Sequence, residues 1–351
     1  MALLLEHLRV GVTVKCGFAL VGAGLFGERH AQAYQRHPAA DFVAVCDLDE
    51  ARARRLAESY GARRWTTDLK SILDDPAVQA VSVATPDHAH RAVAVAGAGA
   101  GKHLLVEKPL ATTVADAEAI VAAAESAGVT LMVDFHNRLN PPMVAARQAI
   151  ERGDVGVPSY VYARLSNTIA VPQDMLRWSS SSSALWFLGS HMVDIIGWIL
   201  DDRPVRCYVV AREGVLKSKG IDAPDFHVAT VEYAKGTVVV YEHAWILPRS
   251  HSTVKDLKIE ILGSEGALYV DGSHNRTFEL YTADKGTFPD MMVPPFGPRL
   301  TGFVLDAVAH FVDAVTEGKP VLATGREGLE NTRTVAAMID AANKGEAVTL
   351  S

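Results

Sequence analysis

Apolar and polar positions change rhythm partway along the chain. In the first third, short continuous apolar runs alternate with longer segments of helical spacing. The runs are Phe18-Ala19-Leu20-Val21, Phe42-Val43-Ala44-Val45-Cys46, Ala80-Val81-Ser82-Val83-Ala84, His103-Leu104-Leu105-Val106 and residues 130–135. Residues 50–60, 89–100 and 114–127 between them read as helices. Continuous apolar runs suit strands buried on both faces, and their alternation with helices predicts a parallel sheet wrapped by helices.

After about residue 136 a period of two takes over. Residues 159–165, 206–211, 228–233, 237–245 and 258–262 alternate, which predicts an antiparallel sheet with one covered face. Residues 270–273 and 286–298 read as turn and loop, and residues 184–200, 303–316 and 328–343 as helix. The predicted fold class is α/β. A doubly wound parallel sheet occupies residues 16–136, and an α+β domain with an open, mainly antiparallel sheet occupies residues 137–351. Residues 1–15 stand apart as an N-terminal extension. Glu6, His7 and Arg9 interrupt its apolar Leu3-Leu4-Leu5, which argues against a signal peptide.

The first apolar run feeds directly into Gly22-Ala23-Gly24-Leu25-Phe26-Gly27, and the second ends on Asp47. That order is strand, glycine turn, helix, strand, acid. In such a Rossmann turn Gly22 permits the tight bend, Gly24 lets a pyrophosphate approach bare backbone, and Gly27 lets helix pack on strand. The helix N-terminus offers unpaired N–H groups to phosphates. Asp47 stands about 20 residues beyond the last glycine, where a carboxylate accepts hydrogen bonds from ribose hydroxyls and repels a 2′-phosphate, so NAD is favoured over NADP. Arg52, Arg54 and Arg55 nearby read as the solvated face of the next helix.

Composition narrows the class. The chain has 351 residues, 49% hydrophobic and 21% charged, enough for two domains with real cores. Its net charge of −7 gives no footprint for nucleic acid. No apolar run approaches a membrane span. Cys16, Cys46 and Cys207 form no CxxC pair, which fits a reduced, cytoplasmic setting. No His-Glu-x-x-His or cysteine cluster suggests a metal.

From residue 15 onward the chain resembles the glucose–fructose oxidoreductase / inositol dehydrogenase / MocA (Gfo/Idh/MocA) family. The marks are the glycine turn, Thr85-Pro86-Asp87-His88-Ala89-His90, the run from Gly101 to Glu107-Lys108-Pro109-Leu110, Asn137-Arg138-Leu139-Asn140-Pro141 and Leu188-Gly189-Ser190-His191-Met192-Val193-Asp194. The resemblance implies NAD(P)-dependent oxidation or reduction at a hydroxyl-bearing carbon of a sugar, cyclitol or related ring. It also implies a homodimer or homotetramer formed through the C-terminal sheet.

Lys108 suits the centre of that chemistry, because an ammonium at a parallel-sheet edge stabilises a developing alkoxide. Glu107 resembles a residue that helps fix the lysine and the cofactor, and Thr85, Pro86 and His90 match the family's cofactor-contacting segment. The turn residues Leu25 and Phe26 belong to the same expected cofactor site. His191 is the expected proton acceptor, since an imidazole titrates near neutrality. Asp194, three residues on and so on the same helical face, resembles a position that binds substrate hydroxyls. Arg138 and Asn167 likewise match substrate contacts. Tyr241, His243 and Trp245 share one strand face, which either lines the pocket or packs in the sheet.

One position departs from the family pattern. Many family dehydrogenases place an aspartate one helical turn before the histidine; here that residue is Phe187, preceded by Ser181-Ser182-Ser183. Phenylalanine neither orients an imidazole nor stabilises its protonated form. Asp194, Asp174 and Asp87 are candidate replacements, a more acidic substrate is another solution, and lost catalysis is a third. Two further readings therefore stand beside a dehydrogenase: a non-catalytic NAD-binding regulator, and a glycosidase-type protein with tightly held NAD.

Overall fold

The computed structural model describes residues 15–273 and 301–350, with four two-residue strands between them. The chain opens with β1 (Cys16–Val21), α1 (Leu25–Arg36), β2 (Ala40–Cys46), α2 (Glu50–Tyr60), β3 (Arg64–Thr66) and the short α3 (Leu69–Leu73). It continues through β4 (Ala80–Val83), α4 (His90–Gly99), β5 (His103–Val106), α5 (Val114–Ala127) and β6 (Leu131–Val133). Local chemistry sets the helix limits. Asp49 and Thr113 accept N-terminal N–H groups of α2 and α5, and left-handed Gly61 and Gly128 end them.

These six strands form one parallel sheet in the order β3-β2-β1-β4-β5-β6. The direction of winding reverses between β1 and β4, and the crevice beyond the strand ends there is where open α/β sheets take ligands. β1 is central; Phe18, Ala19 and Leu20 are wholly buried.

The second half begins with α6 (Pro141–Glu151) and β7 (Pro158–Asn167), passes through two π-helical turns, Val171–Met175 and Leu185–Gly189, and enters α7 (Ser190–Leu200). β8 (Pro204–Arg212), β9 (Phe226–Tyr233), β10 (Val238–Ala244), β11 (Lys255–Gly263) and β12 (Ala267–Asp271) follow. They form a sheet in the order β12-β11-β7-β10-β9-β8, closed at the far edge by Val348–Thr349. All its pairings are antiparallel except that of β10 with β7. Residue alternation reports which face is covered and not strand direction, so this parallel pair left no mark in the pattern. The covered face supplies Val161, Val231, Tyr241 and Ile259 to a core shared with Ile196 of α7 and Met338 of α9 (Gly325–Lys344). Tyr160, Tyr208, Val228 and Tyr269 are exposed.

Helix α8 (Phe303–Glu317) returns to the first sheet. Phe311 meets Phe18 edge-on at 6.1 Å, and Val308 and Val312 complete that core. The segment read from sequence as the second domain thus supplies a helix to the first layer. Val270 lies in β12 rather than in a turn. Gly286–Thr287 and Pro295–Phe296 are paired as short strands, and the rest of the loop expected at 286–298 lies outside the described residues. Among the described residues no helix is long and apolar enough to cross a membrane.

Candidate active site

A cavity of about 1440 Å³ runs from the glycine turn to the edge of the second sheet. At its first end the three turn glycines meet three separate demands. Gly22 sits at φ +105°, where a side chain would strain the backbone and strike the Ala84 carbonyl. A Cβ on Gly27 would strike the Gly22 carbonyl, so α1 packs against the turn only without one. A Cβ on Gly24 would meet nothing within 4 Å, which leaves bare backbone facing open space. Asp47 braces the turn: Oδ2 accepts from the Ala23 N–H at 2.6 Å and Oδ1 from the Asp49 N–H at 2.8 Å. Leu48, 95% exposed, offers an apolar surface beside it. Thr85 Oγ1 is buried on the cavity wall without a hydrogen-bond partner. The open cradle, the braced carboxylate and this orphaned hydroxyl fit a dinucleotide. Leu25, Phe26, Pro86, His90 and Glu107 also line the cavity. Both ring nitrogens of His90 face backbone carbonyls, of Pro109 at 2.9 Å and Thr85 at 3.0 Å, so the ring fixes the loop.

Lys108 and His191 line the far part of the same cavity. Lys108 follows β5, and its Nζ donates to the Phe187 carbonyl at 3.1 Å while lying 4.2 Å from the centre of the Phe187 ring. Burial lowers its pKa, and Glu107, Asp87 and Asp134 pull the other way. His191 stands in the first turn of α7. Burial, then the positive charge of Lys108, holds its pKa well below the usual histidine value, so the ring is neutral and able to accept a proton. Its Nδ1 lies 3.4 Å from Asn137 Nδ2, in an amide whose oxygen and nitrogen ends interchange by a flip. Turned with its oxygen toward Nδ1–H, that amide leaves a lone pair on Nε2.

None of the three candidate aspartates takes the place of the missing one. Asp194 is bound by Arg138, through Nε at 3.1 Å and Nη2 at 2.5 Å. Asp174 forms an exposed pair with Arg249, and Asp87 accepts from Ser182 Oγ at 2.7 Å. Arg138 and Asp194, read from the resemblance as substrate contacts, are absent from the cavity wall and spend their polar groups on each other. Arg138 also binds Glu327 at 2.7 Å and the Leu322 carbonyl. Asn167 does line the cavity; its Nδ2 donates to the Val254 carbonyl at 3.3 Å and its Oδ1 is buried without a partner. Tyr241, His243 and Trp245 face the core: the Tyr241 hydroxyl meets that of Tyr233 at 2.6 Å, and His243 Nδ1 donates to the Leu165 carbonyl.

The sequence reading missed a buried layer beneath Lys108. His30 Nε2 lies 3.0 Å from Glu107 Oε1 and 3.6 Å from Asp134 Oδ2, and its Nδ1 lies 3.0 Å from Ser82 Oγ. These carboxylates raise the His30 pKa to about 9 despite burial, and the imidazolium with His136 holds Asp134 far below the usual carboxylate range. His136 packs edge-on to His191 at 5.0 Å. The donor atoms of His30, Glu107 and Asp134 lie within 4.8 Å of one another, a spacing that an imidazolium between two carboxylates accounts for. Of this layer only Glu107 was named from the sequence; His30, three residues past Gly27, was a signal that went unread.

Two family descriptions match the chain. Residues 16–135 match "Oxidoreductase family, NAD-binding Rossmann fold", and residues 147–350 match the "C-terminal alpha/beta domain" of the same family. The inositol 2-dehydrogenase of Rhizobium meliloti is 29% identical over 315 residues, 89% of this chain and 92% of that protein. The D-apiose dehydrogenase of Paraburkholderia graminis is 26% identical over 340 residues, 95% of this chain and 89% of that one. Among solved structures, GenD2 from gentamicin A biosynthesis, in complex with NAD, superposes with a TM-score of 0.83 at 28% identity, covering 96% of this chain and 97% of that one.

Proposed function

We propose that this chain, which belongs to the Gfo/Idh/MocA oxidoreductase family, is an NAD-dependent dehydrogenase acting on a hydroxyl-bearing carbon of a sugar, cyclitol or related ring. The observation that carries the reading is that Lys108 and His191 line one cavity with the glycine turn. NAD, when bound along Gly22, Gly24, Gly27 and Asp47, supplies the nicotinamide that exchanges hydride with the carbinol carbon. Neutral His191 accepts the hydroxyl proton. The Lys108 ammonium, held by the Phe187 carbonyl, stabilises the oxygen as its charge grows. Asn137 holds the imidazole, and the unpartnered Asn167 Oδ1 takes a neighbouring substrate hydroxyl.

The test is absorbance at the reduced-nicotinamide band with NAD and a panel of inositols, pentoses and anhydrosugars. Multiple turnovers with free NAD support the reading. Retained NAD with no exchange favours the glycosidase-type alternative, and binding without turnover on any panel member favours the regulator. The same proposal places the protein in the cytoplasm as a homodimer or homotetramer built on the outer face of the second sheet, where Tyr160, Tyr208, Val228 and Tyr269 are exposed. Sedimentation of the wild type against a Tyr208→Lys, Val228→Lys variant tests the assembly.

A further inference from the structure

The layer under Lys108 joins elements that the mechanism otherwise treats separately. His30 comes from the second turn of α1, the helix that starts in the glycine turn. Ser82 comes from β4, Glu107 from the end of β5 and Asp134 from the end of β6. All four side chains are nine-tenths buried or more. Glu107 grips the lysine's own backbone as well: its Oε2 accepts from the Lys108 N–H at 3.2 Å. Two carboxylates without countercharge are costly to bury at this depth, and His30 supplies the cation between them. Ser82 Oγ, bonded also to the Tyr34 hydroxyl, fixes the ring's other nitrogen.

We propose that His30, clamped between Glu107 and Asp134, is a positioning residue for Lys108, tying the helix that starts in the cofactor turn to the strand end that carries the lysine. The inference rests on the dehydrogenase reading only in taking Lys108 as the cation of the reacting site. A plain structural brace would hold the fold without acting on the lysine's charge. A positioning clamp does both, because Glu107 and Asp134 act on Lys108 and His30 offsets them. The charged groups facing Lys108 are Glu107, Asp134 and Asp87, with His191 neutral across the cavity.

The experiment reads the charge of Lys108 directly. The rate at which acetic anhydride acylates Lys108 is followed against pH by peptide mass spectrometry, since only the free amine reacts. His30→Gln keeps a hydrogen-bond donor but removes the cation, so the midpoint should rise by on the order of half a pH unit or more. Asp134→Asn removes an anion, and the midpoint should fall. Opposite shifts from two neutral replacements in one cluster support the clamp, because general loosening of the site would move both midpoints the same way. If only one variant folds, the sign of its shift decides. Midpoints unmoved in folded variants, or moved in the same direction, overturn the proposal, and so does a cluster in which neither variant folds. Because labelling needs no substrate, the outcome stands whether or not the dehydrogenase assay succeeds. Where turnover is found, His30→Gln should lower kcat about tenfold with NAD affinity changed less than threefold, and Asn or Ala at position 30, which also lack the cation, should do no better.

Discussion

Lys108 and Phe187 are paired twice over: the lysine Nζ donates to the Phe187 carbonyl, and its charge lies 4.2 Å from the centre of the ring. Backbone and π-face thus hold the ammonium from one residue. The positive charge held this way helps keep His191 neutral. Phe187→Asp should reverse part of this, because a new anion favours imidazolium. The acid limb of kcat/KM against pH should move upward in Phe187→Asp, and His191→Ala should lose that limb along with most of its rate. A His191→Ala profile that keeps both rate and limb would assign proton acceptance to another group.

Lys108→Ala should leave NAD binding nearly intact and lower kcat on the order of 100- to 1000-fold, the usual effect of removing a charge-stabilising donor. Nicotinamide fluorescence titration and steady-state turnover measure the two separately. Near-normal turnover would move the electrophilic role elsewhere.

The parts legible in the sequence were those whose cause is local. The glycine turn is dictated by backbone geometry at Gly22 and Gly27, and α2 and α5 end where their caps and left-handed glycines stand. The place of Lys108 at the cavity wall was legible because it follows a buried strand and precedes a proline. The fate of Arg138 and Asp194 was not legible, because 56 residues separate them and only packing of α7 on the segment after β6 reveals that they satisfy each other. Glu107 was named from the resemblance, but its partners His30 and Asp134 were hidden for the same reason: a helix and two strand ends converge on a point that no spacing encodes. Helix α8 read correctly as helix, yet its seat on the first sheet depends on Phe311 finding Phe18 across nearly the whole chain.

Asp47 should select NAD over NADP. Its carboxylate is fixed at the cavity wall by the Ala23 and Asp49 N–H groups, so a 2′-phosphate would meet a held negative charge. Asp47→Ala should weaken NAD on the order of 10-fold or more, by loss of charged hydrogen bonds and of the turn's brace, and should narrow the gap to NADP. Equal affinities for the two cofactors in the wild type would remove the selection argument.

The His30 clamp also predicts how stability varies with pH. The imidazole pKa rises from 6.5 to about 9 on folding. A group whose folded pKa is raised stabilises fully below its unfolded value and loses that contribution as pH climbs through the folded one. The shift corresponds to about 3 kcal/mol. The wild-type melting temperature should therefore fall between pH 6.5 and 9.5, while His30→Gln, less stable at pH 6.5, should show a flatter profile there. Parallel profiles would mean that the ring is neutral in the folded protein.

Arg138 separates a structural from a substrate role. Its guanidinium grips Asp194 with two hydrogen bonds and reaches Glu327 at 2.7 Å, and both Arg138 and Asp194 are nine-tenths buried. Removing one partner of a buried pair leaves the other charge uncompensated, which costs about 3–5 kcal/mol. Arg138→Gln should lower unfolding stability by that order. Because Asp194 stands one turn beyond His191 on α7, kcat should fall with it through displacement of the imidazole. The apparent KM should change little, since neither side chain lines the cavity. The double variant Arg138→Leu, Asp194→Leu, which removes both charges together, should recover much of the lost stability. Urea unfolding and steady-state kinetics on the single and double variants make the comparison. If Arg138→Gln instead raised KM sharply at unchanged stability, the guanidinium would be meeting substrate, and the Asp194 pairing would have to open when substrate binds.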